Sequence, residues 1–329
     1  MIRVAINGFG RIGRLTFRNL LNNPKVEVVG INDLTDNKTL AHLLKYDSAQ
    51  GKFPKSIKYT SKSISIGSKR IPVFDNRNPE ELPWKDLAVD VVVESTGVFR
   101  SKEAAGLHLK AGAKKVIISA PAKGDGVKTI VIGVNEKKLN KSDKIVSNAS
   151  CTTNCLAPMA SLIDKQFGIS SGYMTTIHAY TSDQRIQDAP HSDLRRARAA
   201  AQSIIPTTTG AATAVGLVLP ELKGKLSGMA ARVPVITGSL TDCVFNLKKK
   251  TSIEEVNQLF KKASAKQLKG VLEYTEDPIV SSDIIGNAHS CIFDSQLTSV
   301  NGKLLKVVAW YDNEAGYSAR TADLVQLMG

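Results

Sequence analysis

The sequence predicts an α/β protein of two domains. The first carries a mostly parallel sheet; the second is α+β, with a mostly antiparallel mixed sheet. Three observations predict this. Up to about residue 150, short apolar strand-like runs alternate with helix-like runs, the pattern of a parallel sheet. From about residue 172 the strand-like runs lengthen and lose the helices between them, and Asn301-Gly302 joins two of them as a hairpin signal. The chain has 329 residues, 42% hydrophobic and 22% charged, enough for two packed cores.

In order, residues 1–7 (MIRVAIN) read as a buried strand, 8–13 as a glycine-rich turn, and 14–22 as a helix with Leu15, Phe17, Leu20 and Leu21 apolar. Residues 26–32 (VEVVGIN) form a second β-branched strand, so the opening is one βαβ unit whose parallel strands need a crossover. Strands follow at 89–93, 115–119 and 144–149, with a helix near 101–111. In the second half, 172–180, 227–235, 238–247, 290–300 and 303–311 read as long strands, 251–267 as a helix covering them, and 316–328 as a closing helix. The domain boundaries are placed at 1–150 with 313–329 for the first domain and 151–312 for the second.

Charge and cysteine content narrow the chemistry. The 44 Lys+Arg against 30 Asp+Glu give a net charge of +14, scattered along the chain and tightest at Lys248-Lys249-Lys250. Such a surface attracts nucleic acid, anionic membranes or phosphorylated metabolites, and charge alone does not choose among them. No apolar run approaches the roughly 20 residues of a membrane span, and the N-terminus lacks the pattern of a secretory signal, so a cytoplasmic location is expected. Cys151, Cys155, Cys243 and Cys291 are too few for a disulfide framework and supply no four-ligand metal set, so no metal site is expected.

Gly8-Phe9-Gly10-Arg11-Ile12-Gly13 has the spacing of a dinucleotide-binding turn. Three glycines permit a tight turn, backbone approach to a pyrophosphate and close helix–strand packing; the following helix offers free N–H groups to the phosphates. Asp33, 20 residues after Gly13, is placed to accept hydrogen bonds from a ribose and to repel a 2′-phosphate, while Leu34 offers no donor. This favours NAD over NADP and a Rossmann-type first domain. Ser150-Cys151-Thr152-Thr153-Asn154-Cys155 directly follows the strand 144–149, where ligands gather in open α/β sheets. A cysteine opening a helix is expected to have a lowered pKa. Cys155, one turn in, reads as packing. Of the five histidines, His178 lies within a strand, either as a core group or as the partner that a thiol nucleophile needs; His42, His108, His191 and His289 read as surface groups.

At this point the strings INGFGRIGR (6–14), SNASCTTNCLAP (147–158), HAYTSDQ (178–184), DLRRARAAAQSIIPTTTGAA (193–212), LPELKGKLSGMAARVP (219–234) and WYDNEAGYS (310–318) together resemble phosphorylating glyceraldehyde-3-phosphate dehydrogenases, in order and along the whole chain. The resemblance implies an NAD-dependent oxidoreductase of glycolysis with Cys151 as nucleophile and His178 as its base. It implies backbone contacts from Arg11 and Ile12 to the NAD pyrophosphate, Asp33 on the adenosine ribose, and further cofactor contacts from Arg77, Ser119 and Asn313. Ser150, Thr152, Thr209, Gly210 and Arg232 match the site for the aldehyde end and inorganic phosphate. Thr181, Asp183 and the pair Arg195-Arg196 match the site for the substrate's own phosphate, with the inward arginine of that pair left open. A homotetramer is implied, without need of nucleic acid or membrane. Where many relatives read TPNVSVVDL after Arg232-Val233-Pro234, this chain reads VITGSLTDC, and Ala315 replaces a bulkier residue.

The chemistry so implied is attack of the thiol on glyceraldehyde 3-phosphate, oxidation to a thioester, and release of 1,3-bisphosphoglycerate by inorganic phosphate. Two anion sites suit a substrate that carries one phosphate and consumes another. Three alternatives share these residues: erythrose 4-phosphate as the aldehyde, hydrolysis of the thioester by water, and a secondary RNA- or ligand-binding role of the basic surface.

Overall fold

The computed structural model describes residues 1–329. The chain divides into two compact units, Met1–Ile130 with Lys137–Ala149 and Ser318–Gly329, and Val131–Glu136 with Ser150–Tyr317. The division therefore falls at Ser318 rather than at residue 313, and a short piece around Gly133 belongs to the second unit, so close to it that a Cβ at Gly133 would lie 2.7 Å from the Leu268 side chain.

The first unit is built on nine strands. They are β1 (Ile2–Asn7), β2 (Val26–Asn32), β3 (Ile57–Thr60), β4 (Ser63–Ile66), β5 (Lys69–Phe74), β6 (Val91–Glu94), β7 (Lys115–Ile118), β8 (Lys128–Thr129) and β9 (Ile145–Ser147). Their spatial order is β3-β4-β5-β2-β1-β6-β7-β9-β8. Seven of these strands, β5-β2-β1-β6-β7-β9-β8, run parallel, and β5 also closes an antiparallel meander with β3 and β4 at one edge. The central strands read as unbroken apolar runs because both faces are covered: Val4, Ala5, Ile6, Val91, Val92 and Val93 are wholly buried. β1 pairs with β2 on one side and β6 on the other, so the strand order reverses at its carboxyl end and opens a crevice there.

Helices α1 (Arg11–Leu20), α2 (Asn37–Lys45) and α3 (Lys102–Lys110) belong to this unit. The helix expected at 14–22 starts at Arg11, because Gly8 at φ +88° closes the turn early. A Cβ at Gly8 would lie 2.7 Å from the backbone of Ser95 and Thr96, and one at Gly13 would lie 2.1 Å from the Gly8 carbonyl oxygen. A Cβ at Gly10 would meet nothing within 4 Å. Two of the three glycines therefore serve packing, and the middle one leaves space open. Neither α2, capped by Asp36 on Thr39, nor the β3–β5 meander was foreseen, since both are short and rich in lysine. His108 corrects a second expectation: it is wholly buried rather than on the surface.

In the second unit come α4 (Cys151–Phe167), β10 (Ile169–Ala179), β11 (Ile205–Thr208), α5 (Ala211–Val218), β12 (Leu226–Val233), β13 (Ser239–Leu247), α6 (Ile253–Ala265), β14 (Leu272–Thr275), β15 (Cys291–Asn301), β16 (Leu304–Tyr311) and the start of α7 (Ala315–Met328). The seven strands lie in the order β11-β12-β10-β13-β16-β15-β14, antiparallel except for the β10–β12 and β14–β15 pairs. The α/β plus mixed α+β architecture agrees with the sequence reading. The Asn301-Gly302 hairpin forms, but Asn301 itself pairs with Leu304, so the two central residues are Gly302 and Lys303. Only Gly302 has positive φ, the pattern of a type II′ turn.

Gly13→Ala is expected to lower stability by about 1–3 kcal/mol, because backbone rather than a movable side chain faces the new methyl. Urea unfolding checks this, and an unchanged midpoint would show that the turn yields freely.

Candidate active site

Cys151 is the first residue of α4. The Ser150 Oγ accepts the Thr153 N–H at 3.0 Å and caps the helix. Ala149, just before, is held at φ +56°, a conformation that L-residues rarely adopt outside constrained sites. The Cys151 Sγ lies 3.5 Å from His178 Nε2. His178 stands on β10 directly beside Arg232 on the parallel β12. Its Nδ1 is 2.8 Å from Arg232 Nη1 and 2.7 Å from the Ala179 carbonyl oxygen, which also accepts from Arg232 Nη1 at 3.0 Å. A guanidinium only donates and a carbonyl only accepts. Both imidazole tautomers thus find a partner at Nδ1: a proton there goes to Ala179, and a lone pair there receives Arg232. The nitrogen facing the sulfur can accordingly be an acceptor or a donor.

Electrostatics set the resting state. Burial, with help from the Arg232 charge, lowers the His178 pKa to about 3; the Ala179 carbonyl opposes this. The Cys151 thiol is raised, not lowered as the helix start suggested: loss of hydration outweighs Arg232 and the N–H groups of Cys151 and Thr152. The pair rests as a thiol beside a neutral imidazole.

Tyr311 was not foreseen as part of the site, although it lies inside the string WYDNEAGYS. It is buried on β16, packs edge-on against His178 with centroids 5.9 Å apart, and its hydroxyl lies 2.8 Å from those of both Thr152 and Thr176. The Thr152 hydroxyl is therefore engaged inside the protein rather than free to meet an anion.

The anion-site residues divide. Arg196 is drawn in: its guanidinium pairs with Asp183 and donates to Thr207 Oγ1 at 2.9 Å, and its charge lowers the pKa of both His178 and Arg232. Arg195 is exposed, which answers the question of the inward arginine. Arg232 Nε is buried without a hydrogen-bond partner, a donor ready for an anion. Thr209 accepts from Ala211 N–H at the start of α5, whose cap, Gly210, contributes no side chain. Thr181 donates its N–H to Gln184.

The first unit holds the cofactor candidates. A cavity of about 390 Å³ at the end of β1 is lined by Gly8, Gly10, Asp33, Arg77 and Thr96 among others. Asp33 accepts the Phe9 N–H at 2.7 Å and the Thr35 N–H at 2.9 Å, fixing the glycine turn to the end of β2. The Arg11 side chain pairs with Asp47 at 2.7 Å, and Ile12 follows in the same first turn of α1. That turn has no side-chain cap, and the missing Cβ of Gly10 leaves the approach open, which fits a pyrophosphate. Exposed Leu34 next to Asp33 supplies no partner for a 2′-phosphate. Ser119, at the end of β7, donates its N–H to the Glu94 carbonyl and is not among the cavity residues. Asn313 lies in the second unit, where its Oδ1 accepts from Gly238 N–H and the Ser239 hydroxyl, leaving its Nδ2 donors for another acceptor.

A dinucleotide crevice in one unit and a paired thiol and imidazole in the other fit a nicotinamide-dependent oxidoreductase. Family models agree and are more particular. Residues 2–102 match the glyceraldehyde 3-phosphate dehydrogenase NAD binding domain, and residues 150–313 match the C-terminal domain of the same family. The chain belongs to the glyceraldehyde-3-phosphate dehydrogenase family. Among its relatives, that of Thermotoga maritima is 59% identical over all of this chain and 99% of its own. That of Streptomyces coelicolor is 57% identical over 100% and 98%, and that of Geobacillus stearothermophilus 57% over 98% and 97%. All three bear the name glyceraldehyde-3-phosphate dehydrogenase.

The buried imidazole predicts a pH signature. Between pH 6.5 and about 3 the unfolded chain binds a proton at residue 178 that the folded chain refuses, so stability falls as pH falls through that window. His178→Gln should remove this contribution and reduce the loss between pH 6.5 and pH 4 by up to roughly 3 kcal/mol. Urea midpoints at the two pH values check it; parallel losses in both proteins would show that residue 178 is not held neutral.

Proposed function

We propose that Cys151 and His178 carry out phosphorylating oxidation of glyceraldehyde 3-phosphate, with NAD as the cofactor. The observation that carries this reading is the 3.5 Å contact between the sulfur and an imidazole held neutral next to Arg232.

Cys151 Sγ bonds to the aldehyde carbon while its proton passes to His178 Nε2 and from there to the carbonyl oxygen, giving a hemithioacetal and leaving His178 neutral again. The Cys151 N–H, in the first turn of α4, would donate to the developing oxyanion. His178 then takes the hydroxyl proton as the C–H bond breaks, leaving a thioester on Cys151. Bound NAD supplies the hydride acceptor. Inorganic phosphate, held by Arg232 with Thr209 and Gly210, attacks the thioester carbon; the C–S bond breaks, His178 returns a proton to the sulfur, and the acyl phosphate leaves. Arg196, kept in place by Asp183, binds the substrate's own phosphate near Thr181. Ser150 and Thr152 shape the start of α4, the second through Tyr311. Burial serves this cycle: a raised thiol and a neutral imidazole exchange one proton internally, without waiting for solvent.

By the resemblance, Asp33 would hold the adenosine ribose, Arg11 and Ile12 would meet the pyrophosphate through their N–H groups, and Arg77, Ser119 and Asn313 would add further cofactor contacts. The first unit is the cofactor domain and the second the catalytic domain. No helix is long and apolar enough to cross a membrane. A cytoplasmic homotetramer follows from the family resemblance, and light scattering measures the number of copies. The mechanism requires no nucleic acid.

Following NADH formation from glyceraldehyde 3-phosphate, turnover should require phosphate, and Cys151→Ser should abolish it while NAD binding persists. Turnover without phosphate indicates hydrolysis instead, and substantial activity of the serine variant excludes the covalent route. Erythrose 4-phosphate, tried in parallel, should be the poorer aldehyde. Asp33→Gly should relax the preference for NAD over NADP by about tenfold or more, since one repelling carboxylate and its ribose hydrogen bonds go together. An unchanged ratio removes Asp33 from the ribose.

A further inference from the structure

The first unit contains a buried polar chain that the mechanism does not use. Trp84, His108, Glu94 and Asn7 are each at most 2% exposed. Trp84 Nε1 lies 3.0 Å from His108 Nδ1. An indole N–H only donates, so Nδ1 accepts and the imidazole carries its proton at Nε2. That N–H donates to Glu94 Oε2 at 2.9 Å, which also accepts from Asn7 Nδ2 at 2.6 Å. The other carboxylate oxygen, Oε1, accepts both the backbone N–H and the hydroxyl of Thr96. The Thr96 hydroxyl in turn accepts the Val98 N–H at 3.1 Å. The same imidazole packs edge-on against Phe99, ring centroids 6.4 Å apart.

Thr96, Val98 and Phe99 form one wall of the 390 Å³ cavity, facing Leu34 and Asp33. From the Asn7 end the chain continues to the floor. Asn7 Oδ1 accepts from Asn32 Nδ2 at 2.7 Å, and Asn32 brackets the Asn76 backbone, accepting its N–H and donating to its carbonyl. Every donor and acceptor named is satisfied, and the walls meet at one carboxylate. A buried carboxylate is costly unless fully hydrogen-bonded, and a fully bonded network is rigid.

We propose that His108 is a positioning residue for cofactor binding: through Glu94 and Phe99 it fixes the Thr96–Phe99 wall of the cavity against which the adenosine half of the dinucleotide rests. This deepens the cofactor reading above and rests on it. His108 never touches the ligand; it holds Glu94 in the one orientation that presents Oε1 to Thr96. Without the Nε2–H, Asn7 alone holds Oε2, so the two bonds from Oε1 to Thr96 are less firmly fixed and Phe99 loses its aromatic backing.

The test measures dissociation constants of NAD and ADP-ribose by calorimetry on the full chain without substrate. His108→Leu should weaken both ligands by roughly tenfold, about the worth of one or two hydrogen bonds. His108→Gln, which restores a donor and an acceptor, should recover most of the loss. Trp84→Phe, which frees the tautomer while keeping an aromatic ring, should give a smaller loss and serves if His108→Leu does not fold. In a Thr96→Val background, where one of the two bonds to Oε1 is already gone, His108→Leu should cost less than it does alone; in turnover the loss should fall on KM for NAD rather than on kcat. Unchanged dissociation constants in a folded variant, or effects that simply add to those of Thr96→Val, overturn the proposal and leave His108 as packing. Asp33→Gly separates this from the reading beneath it. If that variant also binds NAD normally, the cavity is not the cofactor site; if it binds weakly while the His108 and Trp84 variants bind normally, only the positioning role falls.

Discussion

The chemistry depends on one nitrogen with two neighbours of opposite kind. His178 Nδ1 sits between a guanidinium that cannot accept and a carbonyl that cannot donate. Neither neighbour can change its protonation to suit the ring, so the ring changes instead. The imidazole is thereby tolerant of proton movement at the far nitrogen, the one that meets the sulfur. Arg232 contributes a second effect at the same point: its charge makes a second proton on the ring unwelcome. In the proposed cycle the base must be empty before it acts, and burial and a cation keep this imidazole empty.

The same burial works against the thiol. A helix start and a nearby arginine both favour a thiolate, yet dehydration outweighs them. The two shifts are complementary: one makes the thiol reluctant to ionise alone, the other keeps the imidazole available. Reactivity at Cys151 is then a property of the pair, and titration reports both groups together.

How much was legible in the sequence depended on how local the cause was. The glycine turn and Asp33 are set by backbone geometry within one βαβ unit, and both stand where the spacing put them. The long strands of the second unit follow from alternation, and the hairpin at Gly302 needed only a glycine. Arg195 and Arg196 could not be separated, because their difference arises from Asp183 and Thr207, residues 13 and 11 positions away from Arg196. His108 was misjudged for the same reason: a histidine on a helix of mixed polarity looks solvated until Trp84 and Glu94 converge on it. Tyr311 stood in a recognised string, but its partners, Thr152 and Thr176, come from elements distant in the chain. Thiol ionisation failed as an expectation because helix dipole is visible in sequence and depth is not.

One feature of the second sheet carries a wider consequence. His178 and Arg232 are neighbours only because β10 and β12 run side by side in a single alignment, residue 172 opposite 226 through 179 opposite 233. Removing one residue anywhere between 227 and 231 would carry the guanidinium to the opposite face and set an aliphatic side chain beside the imidazole. A change of length is therefore harmless to this pairing only in the loops around the two strands, and the count of residues along β12 matters to the site as much as the arginine itself.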